Sequence, residues 1–257
     1  MTTEEARMSF IEHLEELRKR LLRAVLAIVV GFGVCFVFKE KLFEIIAGPV
    51  IKLLPQGSSL VFTGLPDPFF MYLKTAFVAG VFLVLPLVIY QMWLFVRPGL
   101  YERERKLAFP FISFAVLLFY AGGAFAYFLV FPAAFKFFLG FQTEALKPML
   151  SIRDYVSLVM ILMLAFGAVF ETPIVIVLLG LLGVVHSDML RKGRRYFIVL
   201  AFIIGAVLTP TPDIVNQSLM AIPMLLFYEI GILILSVFEK KRAREEEMEQ
   251  EALKGLD

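Results

Sequence analysis

Long apolar runs alternate with charged or Pro- and Gly-containing segments along almost the whole chain. A helix needs roughly 20 apolar residues to cross a bilayer core about 30 Å thick. Six runs approach or exceed that length, at residues 21–38, 69–95, 107–131, 155–182, 196–208 and 214–238. The fifth run is short, and Pro210 and Pro212 separate it from the sixth. We therefore expect the last two helices to form a shallow hairpin.

The runs are continuous rather than alternating between apolar and polar residues, which favours helices over the strands of a membrane barrel. The composition agrees, because 60% of the 257 residues are hydrophobic and only 19% are charged. The sequence predicts an all-α polytopic membrane protein with six transmembrane helices in a concave bundle, the fifth and sixth being short. We expect one domain over residues 1–257, with an amphipathic amino terminus (1–20), the bundle (21–238) and a charged tail (239–257).

Basic residues are concentrated in four segments: the amino terminus, the connections after the second and fourth runs, and the tail. Since loops rich in Lys and Arg face the cytoplasm, both termini and these two connections are expected there, as an even number of spans requires. These segments hold 18 of the 25 basic residues, namely Arg7, Arg18, Lys19, Arg20, Arg23, Arg97, Arg103, Arg105, Lys106, Arg191, Lys192, Arg194, Arg195, Lys240, Lys241, Arg242, Arg244 and Lys254.

Two longer connections lie on the opposite side, at residues 39–68 and 132–154, and both keep apolar positions at helical spacing. They form either interfacial helices over the bundle or ordinary loops with little helix, and the pattern does not decide between these.

Few residues are suited to catalysis or to metal binding. Cys35 is the single cysteine, so neither a disulfide within the chain nor a thiolate metal cluster can form. His13 and His186 both fall in predicted cytoplasmic segments, and neither a hydrolase motif nor a Walker motif occurs. We expect no enzyme activity, no cofactor and no metal. The net charge of +2 gives no indication of a nucleic-acid partner.

The segment before the first run predicts an amphipathic helix. Ser9 and Glu12 have the spacing of a capping box. Apolar residues fall on one helix face at positions 10, 14, 17 and 21. Such a helix would lie at the inner membrane surface.

Residues 13–21, HLEELRKRL, are similar to the amino-terminal signature HLxELRxRL of the TatC family, the multispanning subunits of the twin-arginine protein translocase. The resemblance continues through LPQGS (54–58), PLVIYQMWLFVRPGLYERERK (86–106), AFGAVFETP (165–173), LTP (208–210) with Asp213, and MAIPM (220–224). It implies a core subunit that exports folded proteins across the bacterial inner membrane using the proton gradient. The implied partners are single-span TatA-type and TatB-type subunits, twin-arginine signal peptides, the lipid bilayer and further copies of the chain.

The resemblance also implies a signal-peptide site on the cytoplasmic face. Its residues are Glu16, Phe95, Glu104, Arg18 and Leu100. A carboxylate can accept two parallel hydrogen bonds from one guanidinium, so two glutamates could serve two adjacent arginines. Spacing alone favours a plainer interpretation, in which Glu16 balances Arg20 four residues along the helix and Phe95 is an ordinary interfacial aromatic.

Glu171 lies near the middle of the fourth apolar run, where a charged side chain costs several kcal/mol. It is either a polar contact for a partner helix or a passing substrate, or a protonated glutamate bonded inside the bundle. Both interpretations remain open, and we favour the first.

Other predicted site residues lie at the ends of the membrane. Thr209, Asp213 and Gln217 surround the break between the last two runs, where the resemblance implies that single-span partners dock. The chain reads TPTPD where TPPD is commoner in the family, which leaves the placement of Asp213 open. Glu229, within the sixth run, is expected to share the polar patch of Glu171. The resemblance also implies that Pro49, on the outer side, matters for activity.

Two other functions remain possible at this point. A proton-coupled secondary transporter or channel would use Glu171 and Glu229 to handle protons. A structural scaffold would bind no ligand of its own.

Overall fold

The computed structural model describes residues 10–53, 60–100, 105, 108–140, 150–208 and 214–254. These residues are almost entirely helical, as predicted. The helices are α1 (Phe10–Val37), α2 (Lys39–Leu53), α3 (Asp67–Val96), α4 (Ala108–Phe125), α5 (Phe131–Leu139), α6 (Ile152–Phe170), α7 (Thr172–Leu181), α8 (Ser187–Leu208) and α9 (Ile214–Lys254). A 3-10 turn, Arg97–Gly99, follows α3, and a π-helical turn, Ala126–Val130, joins α4 to α5.

Five helical stretches of the described residues are long and apolar enough to cross a membrane. They are Glu12–Val37, Asp67–Gly99, Ala108–Phe137, Ile152–Leu181 and Gln217–Arg244. They cover the first four runs to within one residue and most of the sixth. The fifth run lies in α8, whose first half is strongly basic. Its apolar part, residues 196–208, rises only about 20 Å at 1.5 Å per residue. The six predicted spans are present, and the fifth has a short apolar part.

Helix α9 is longer than predicted. It runs for 41 residues, from Ile214 to Lys254, and so includes most of the charged tail. Lys, Arg and Glu are good helix formers, and the tail contains neither Gly nor Pro before Gly255 to stop the helix. The expectation of a short sixth helix is therefore corrected.

Helices α1 and α3 are antiparallel and approach each other closely at two glycines. A Cβ on Gly31 would lie 2.8 Å from the carbonyl oxygen of Gly80, and a Cβ on Gly80 would lie 2.6 Å from the backbone nitrogen of Phe32. Small residues allow membrane helices to pack backbone against backbone, which is how they gain van der Waals contact in lipid. Gly122 serves the α4–α6 contact in the same way. At the α7–α9 contact, Gly180 makes room for the side chain of Leu235, and Gly231 for that of Ile176.

Helix α6 lies at the centre of the bundle, in contact with α3, α4 and α9. Val156 and Phe166 on this helix are fully buried, with exposed fractions of 0%. Aromatic rings from three helices meet around its second half, where Phe170 contacts Phe125 of α4 and Phe227 of α9. The interior of the bundle is thus filled by side chains.

One end of the bundle is covered by α2, α5 and a two-residue parallel bridge. Strand β1 (Leu60–Val61) pairs with β2 (Leu150–Ser151), with Leu60 opposite Leu150. The hydroxyl of Tyr155 donates to the carbonyl of Ile46 at 2.7 Å, which ties α6 to α2. Residues Lys39–Leu53 of the first long connection form a helix, α2, so the helical alternative is the one observed there. We call this end the cap face.

Asp67 fixes the start of α3 at the cap face. Its carboxylate accepts hydrogen bonds from the backbone N–H of Gly64 at 2.7 Å and from the hydroxyl of Thr63 at 3.3 Å. The guanidinium of Arg153, at the start of α6, lies 3.3 Å from the same carboxylate. Three elements of the cap are therefore joined at one side chain.

The other end of the bundle holds the start of α1, the end of α3, the start of α4, the end of α7, the start of α8 and the second half of α9. Contacts across it include Trp93 of α3 on Phe111 of α4, and Ser187 of α8 on Glu239 of α9. We call this end the amino-terminal face, and it carries Arg97, Arg105 and the basic segments at residues 18–23, 191–195 and 240–254.

Candidate functional site

Glu16 lies on α1 at the amino-terminal face and is largely shielded from solvent. Its Oε1 is 3.1 Å from Nη2 of Arg20, one turn further along the helix. The exposed fractions of the two side chains are 19% and 21%. The neighbouring pair, Glu15 and Lys19, has the same spacing but exposed fractions of 66% and 69%. The predicted Glu16–Arg20 pair is therefore present, and its side chains are much less exposed to solvent than those of the Glu15–Lys19 pair.

Helix α3 supplies the shielding for this pair. Nη1 of Arg20 donates to Oε1 of Gln91 at 3.4 Å, so the guanidinium bridges Glu16 on one helix and Gln91 on the other. Sequence reasoning assigned no role to Gln91. The available signal was that Gln91 lies four residues before Phe95, which places the two side chains on the same face of α3.

Phe95 completes the contact between the two helices. Its ring stacks on the imidazole of His13, with ring centroids 4.5 Å apart and planes inclined by 24°. His13, Glu16 and Arg20 share one face of α1, and Gln91 and Phe95 share the facing side of α3. The structure therefore brings Glu16 and Phe95, predicted from separate motifs, to one place.

Leu100 forms part of an apolar cluster behind this contact, with an exposed fraction of 3%. It packs with Trp93 and Val96, and its carbonyl accepts a hydrogen bond from Nε of Arg105 at 3.1 Å. Leu100 is thus buried behind the site, which it supports by packing, and it does not face solvent. Arg18 is exposed and lies two positions from Glu16, on a different side of α1. Glu104 lies outside the described residues.

Glu171 separates α6 from α7 within the fourth span. Pro173 opens α7, where it leaves a backbone carbonyl of α6 without a donor, and the hydroxyl of Thr172 donates to the carbonyl of Val169 at 2.6 Å. The Oε1 atom of Glu171 is buried, and within the described part of the chain it has no hydrogen-bond partner. The carboxyl group therefore has unused capacity for a further polar contact.

The remaining predicted residues have separate surroundings. Glu229 accepts a hydrogen bond from Nη2 of Arg194 at 2.6 Å, which joins α9 to α8. Gln217 is partly buried and packs its backbone near Gly205 of α8. Pro49 lies inside α2 on the cap face and is partly buried. Thr209 and Asp213 lie outside the described residues.

A family model agrees with these observations. Residues 12–223 match the model described as TatC, Sec-independent protein translocase protein. This match covers well over half of the chain and includes both helices that carry Glu16 and Phe95. The chain belongs to the TatC family.

Individual relatives support this assignment along the length of the chain. The Sec-independent protein translocase protein TatC of Desulforapulum autotrophicum is 42% identical over 247 residues, which cover 96% of this chain and 91% of that protein. The TatC protein of Escherichia coli strain K12 is 43% identical over 237 residues, covering 92% of each.

A solved structure shares the fold as well as the sequence. A crystal structure of the twin arginine translocase receptor TatC superposes with a TM-score of 0.79 at 41% identity, covering 88% of this chain and 99% of that one. The TatC-family chain is thus an integral membrane protein and a subunit of the Sec-independent translocase, which acts in a complex with other components of that system. Its relatives are named as translocase proteins, and the chain is a transport subunit rather than an enzyme.

Proposed function

We propose that this TatC-family chain binds twin-arginine signal peptides at its amino-terminal face. Glu16 accepts one arginine, Glu104 accepts the other, and Phe95 lines the site. In this proposal the amino-terminal face is on the cytoplasmic side of the bacterial inner membrane, and both termini are cytoplasmic. The observation that carries the proposal is the shielded carboxylate of Glu16, which lies beside the Phe95–His13 stack and already accommodates a guanidinium.

The chemistry of this site suits a peptide with adjacent arginines. A partly desolvated carboxylate forms stronger hydrogen bonds to a guanidinium than an exposed one, because less water competes. Phe95 offers an aromatic face to a cation. The apolar cluster of Trp93, Val96 and Leu100 supports the end of α3 by packing. Arg18 lies on the exposed side of α1, the helix that carries Glu16.

A binding measurement tests this proposal. A labelled twin-arginine peptide is titrated with the full chain in lipid nanodiscs. Glu16→Ala should weaken binding by about tenfold or more, since a hydrogen bond to a charged group contributes about 1.5–3 kcal/mol. Glu104→Ala should have a similar effect.

Glu15→Ala is the matched control. It removes the same charge from the adjacent position, where the side chain is exposed, and binding should change little. Retained affinity in the Glu16→Ala Glu104→Ala double variant would contradict the proposal.

We also propose that Glu171, Thr209, Asp213, Gln217 and Glu229 contact TatA-type and TatB-type single-span helices or the signal helix, and that the proton gradient drives transport. The side chain of Glu171 supports this, because it is only partly buried and its Oε1 atom has no hydrogen-bond partner among the described residues. Glu229 already pairs with Arg194, so we expect Glu171 to contribute more. Pro49 is proposed to keep the cap helix α2 in the shape that transport needs, and self-association completes the complex.

Co-purification with the single-span subunits tests the role of Glu171. Glu171→Leu removes the polar group and should reduce the amount of partner recovered, whereas Glu171→Gln keeps a hydrogen-bonding side chain and should retain it. Equal recovery with both variants would show that Glu171 does not contact these partners.

A further inference from the structure

Prolines interrupt the backbone hydrogen-bond ladders of α2 and α3. Proline has no backbone N–H, so the carbonyl group four residues earlier loses its usual donor. In α3 this carbonyl belongs to Phe82, four residues before Pro86. In α2 it belongs to Ile45, four residues before Pro49. Phe82 lies near the middle of a membrane-spanning helix, where water cannot replace the lost donor.

Two tyrosine hydroxyl groups supply the missing donors. The hydroxyl of Tyr120, on α4, donates to the carbonyl of Phe82 at 2.7 Å. The hydroxyl of Tyr127, in the π-helical turn that follows α4, donates to the carbonyl of Ile45. The two tyrosines are seven residues apart, which is about two turns of helix. One helical stretch thus satisfies both of the carbonyl groups that the prolines leave without a donor.

Pro86 lies between two parts of α3 that have different roles. Gly80, before it, packs against the backbone of α1. Gln91 and Phe95, after it, belong to the candidate site. A helix bends most easily where proline removes a hydrogen bond. A change of bend at Pro86 would therefore move Gln91 and Phe95 relative to Glu16 of α1.

We propose that Tyr120 is a positioning residue for the candidate site. Its hydroxyl replaces the bond that is missing at Pro86 and so holds the end of α3 in place. Helix α4 contacts α3 on both sides of Pro86, through Tyr120 at Phe82 and through Phe111, whose ring centroid is 4.9 Å from that of Trp93. The effect on peptide binding rests on the proposed function, whereas the replacement of the missing bond does not.

Trp93 provides a direct readout of the end of α3. It is the single tryptophan of the chain and has an exposed fraction of 3%. Tyr120→Phe removes only the hydroxyl group. The emission maximum of Trp93 should shift to longer wavelength in this variant, because water reaches the indole when the end of α3 is no longer held. The labelled twin-arginine peptide should bind about twofold to tenfold more weakly to the full chain in lipid nanodiscs, which corresponds to one hydrogen bond.

Tyr127→Phe is the matched control. It removes the same group from the same helical stretch, but the hydrogen bond that it breaks lies at the cap face. Both variants should unfold at a temperature lower by about 2 °C. Only Tyr120→Phe should shift the Trp93 emission and weaken peptide binding. Equal shifts in the two variants would show that the tyrosines contribute only to general stability and would overturn the inference.

A substitution of the proline tests whether the hydroxyl replaces the missing bond. Pro86→Ala restores a backbone N–H that can donate to the carbonyl of Phe82. Tyr120→Phe should therefore lower the unfolding midpoint, measured by circular dichroism, in the Pro86 chain but not in the Pro86→Ala chain. The same fall in both chains would contradict the replacement. If Pro86→Ala does not fold, the comparison of Tyr120→Phe with Tyr127→Phe still decides the inference.

The outcome for Glu16→Ala keeps this inference apart from the proposed function. Unchanged peptide affinity in Glu16→Ala would contradict the proposed function, while a shifted Trp93 emission in Tyr120→Phe would still show that Tyr120 holds the end of α3. Lost affinity in Glu16→Ala, together with unchanged Trp93 emission and unchanged affinity in Tyr120→Phe, would contradict the inference alone.

Discussion

At the scale of single residues, Gly31 and Gly80 determine how closely α1 and α3 approach. Gln91 and Phe95 lie eleven and fifteen residues beyond Gly80 on α3, and they contact Arg20 and His13 of α1. A side chain at the glycine contact would move the two helices apart and would therefore disturb both contacts. The glycines thus support the candidate site from about 16 Å away, at 1.5 Å per residue.

Replacing Gly80 by Ala should destabilise the protein. The added Cβ would lie 2.6 Å from the backbone nitrogen of Phe32, and backbone atoms cannot move aside as a flexible side chain can. Overpacking of this kind costs about 1–3 kcal/mol. Thermal unfolding of the detergent-solubilised chain should show a lower midpoint for Gly80→Ala.

Gly33→Ala is the control for Gly80→Ala. A Cβ at Gly33 would meet no atom within 4 Å, and alanine is a better helix former than glycine by about 1 kcal/mol. Its midpoint should be unchanged or raised. Equal midpoints for the two variants would show that the close approach does not limit helix packing.

Two neighbouring ion pairs show which features of the candidate site the sequence can predict. The i,i+4 spacing predicts Glu15–Lys19 and Glu16–Arg20 equally well, and both pairs form. The spacing cannot show that one pair is shielded, because the shielding comes from α3. The family motif singled out Glu16, but the contact with Gln91 joins residues 71 positions apart in the sequence. Only the fold places them together.

At the scale of helices, α8 depends on α9 for its position. The apolar part of α8 is too short to cross the bilayer core without adjustment. Its basic half is held against α9 by a ladder of polar contacts. The contacts are Ser187 to Glu239, Arg191 to Ser236, Arg194 to Glu229, and the hydroxyl of Tyr228 to the carbonyl of Leu190. The rings of Phe197 and Tyr228 stack alongside.

The hydrophobic pattern predicted the α8–α9 hairpin but not this ladder. The paired residues are 35 to 52 positions apart, and no local pattern links them. The pattern also placed the start of the fifth span at residue 196, because hydropathy detects the apolar half of a helix and misses the charged half that precedes it. Helix α8 begins at Ser187.

Glu239→Ala should loosen the start of α8. The carboxylate of Glu239 accepts from the backbone N–H of Ser187 at 3.0 Å and from its hydroxyl. It therefore satisfies one of the amide groups that have no partner within the first turn of a helix. Loss of a helix cap typically costs about 0.5–2 kcal/mol. Hydrogen exchange of the first-turn amides of α8 should become faster.

Glu247→Ala provides the comparison, since Glu247 is exposed further along the same helix. Exchange at the start of α8 should not change in this variant. Slow exchange maintained in Glu239→Ala would mean that the ladder holds α8 without this cap.

At the scale of the whole molecule, side chains fill the centre of the bundle. Val156, Phe166 and Ile232 are fully buried, with exposed fractions of 0%. Among the described residues, side chains buried in this way leave no channel through the bundle that would admit a folded protein. If the cargo is folded, as the proposed function holds, its transport therefore requires other subunits or a local change in the bilayer, as the small number of helices also indicates.

The two faces of the bundle give the final prediction, which concerns orientation. The described basic residues of the four segments lie on the amino-terminal face, and positively charged loops stay on the cytoplasmic side. In a Cys35→Ala background, single cysteines are placed at Lys241 on that face and at Leu65 on the cap face. Leu65 has an exposed fraction of 93%, and Lys241 is also exposed. A membrane-impermeant maleimide added to intact spheroplasts should label Leu65→Cys and leave Lys241→Cys unlabelled.

Inverted membrane vesicles should give the opposite pattern, because they present the cytoplasmic side to the reagent. This reversal shows that both cysteines are reactive, so that protection reflects the membrane rather than burial. Labelling of Lys241→Cys from outside would place the Glu16–Arg20 contact on the wrong side for a signal peptide made in the cytoplasm. The charge distribution alone would then be insufficient to orient the chain, and the proposed site would lose its access to the substrate.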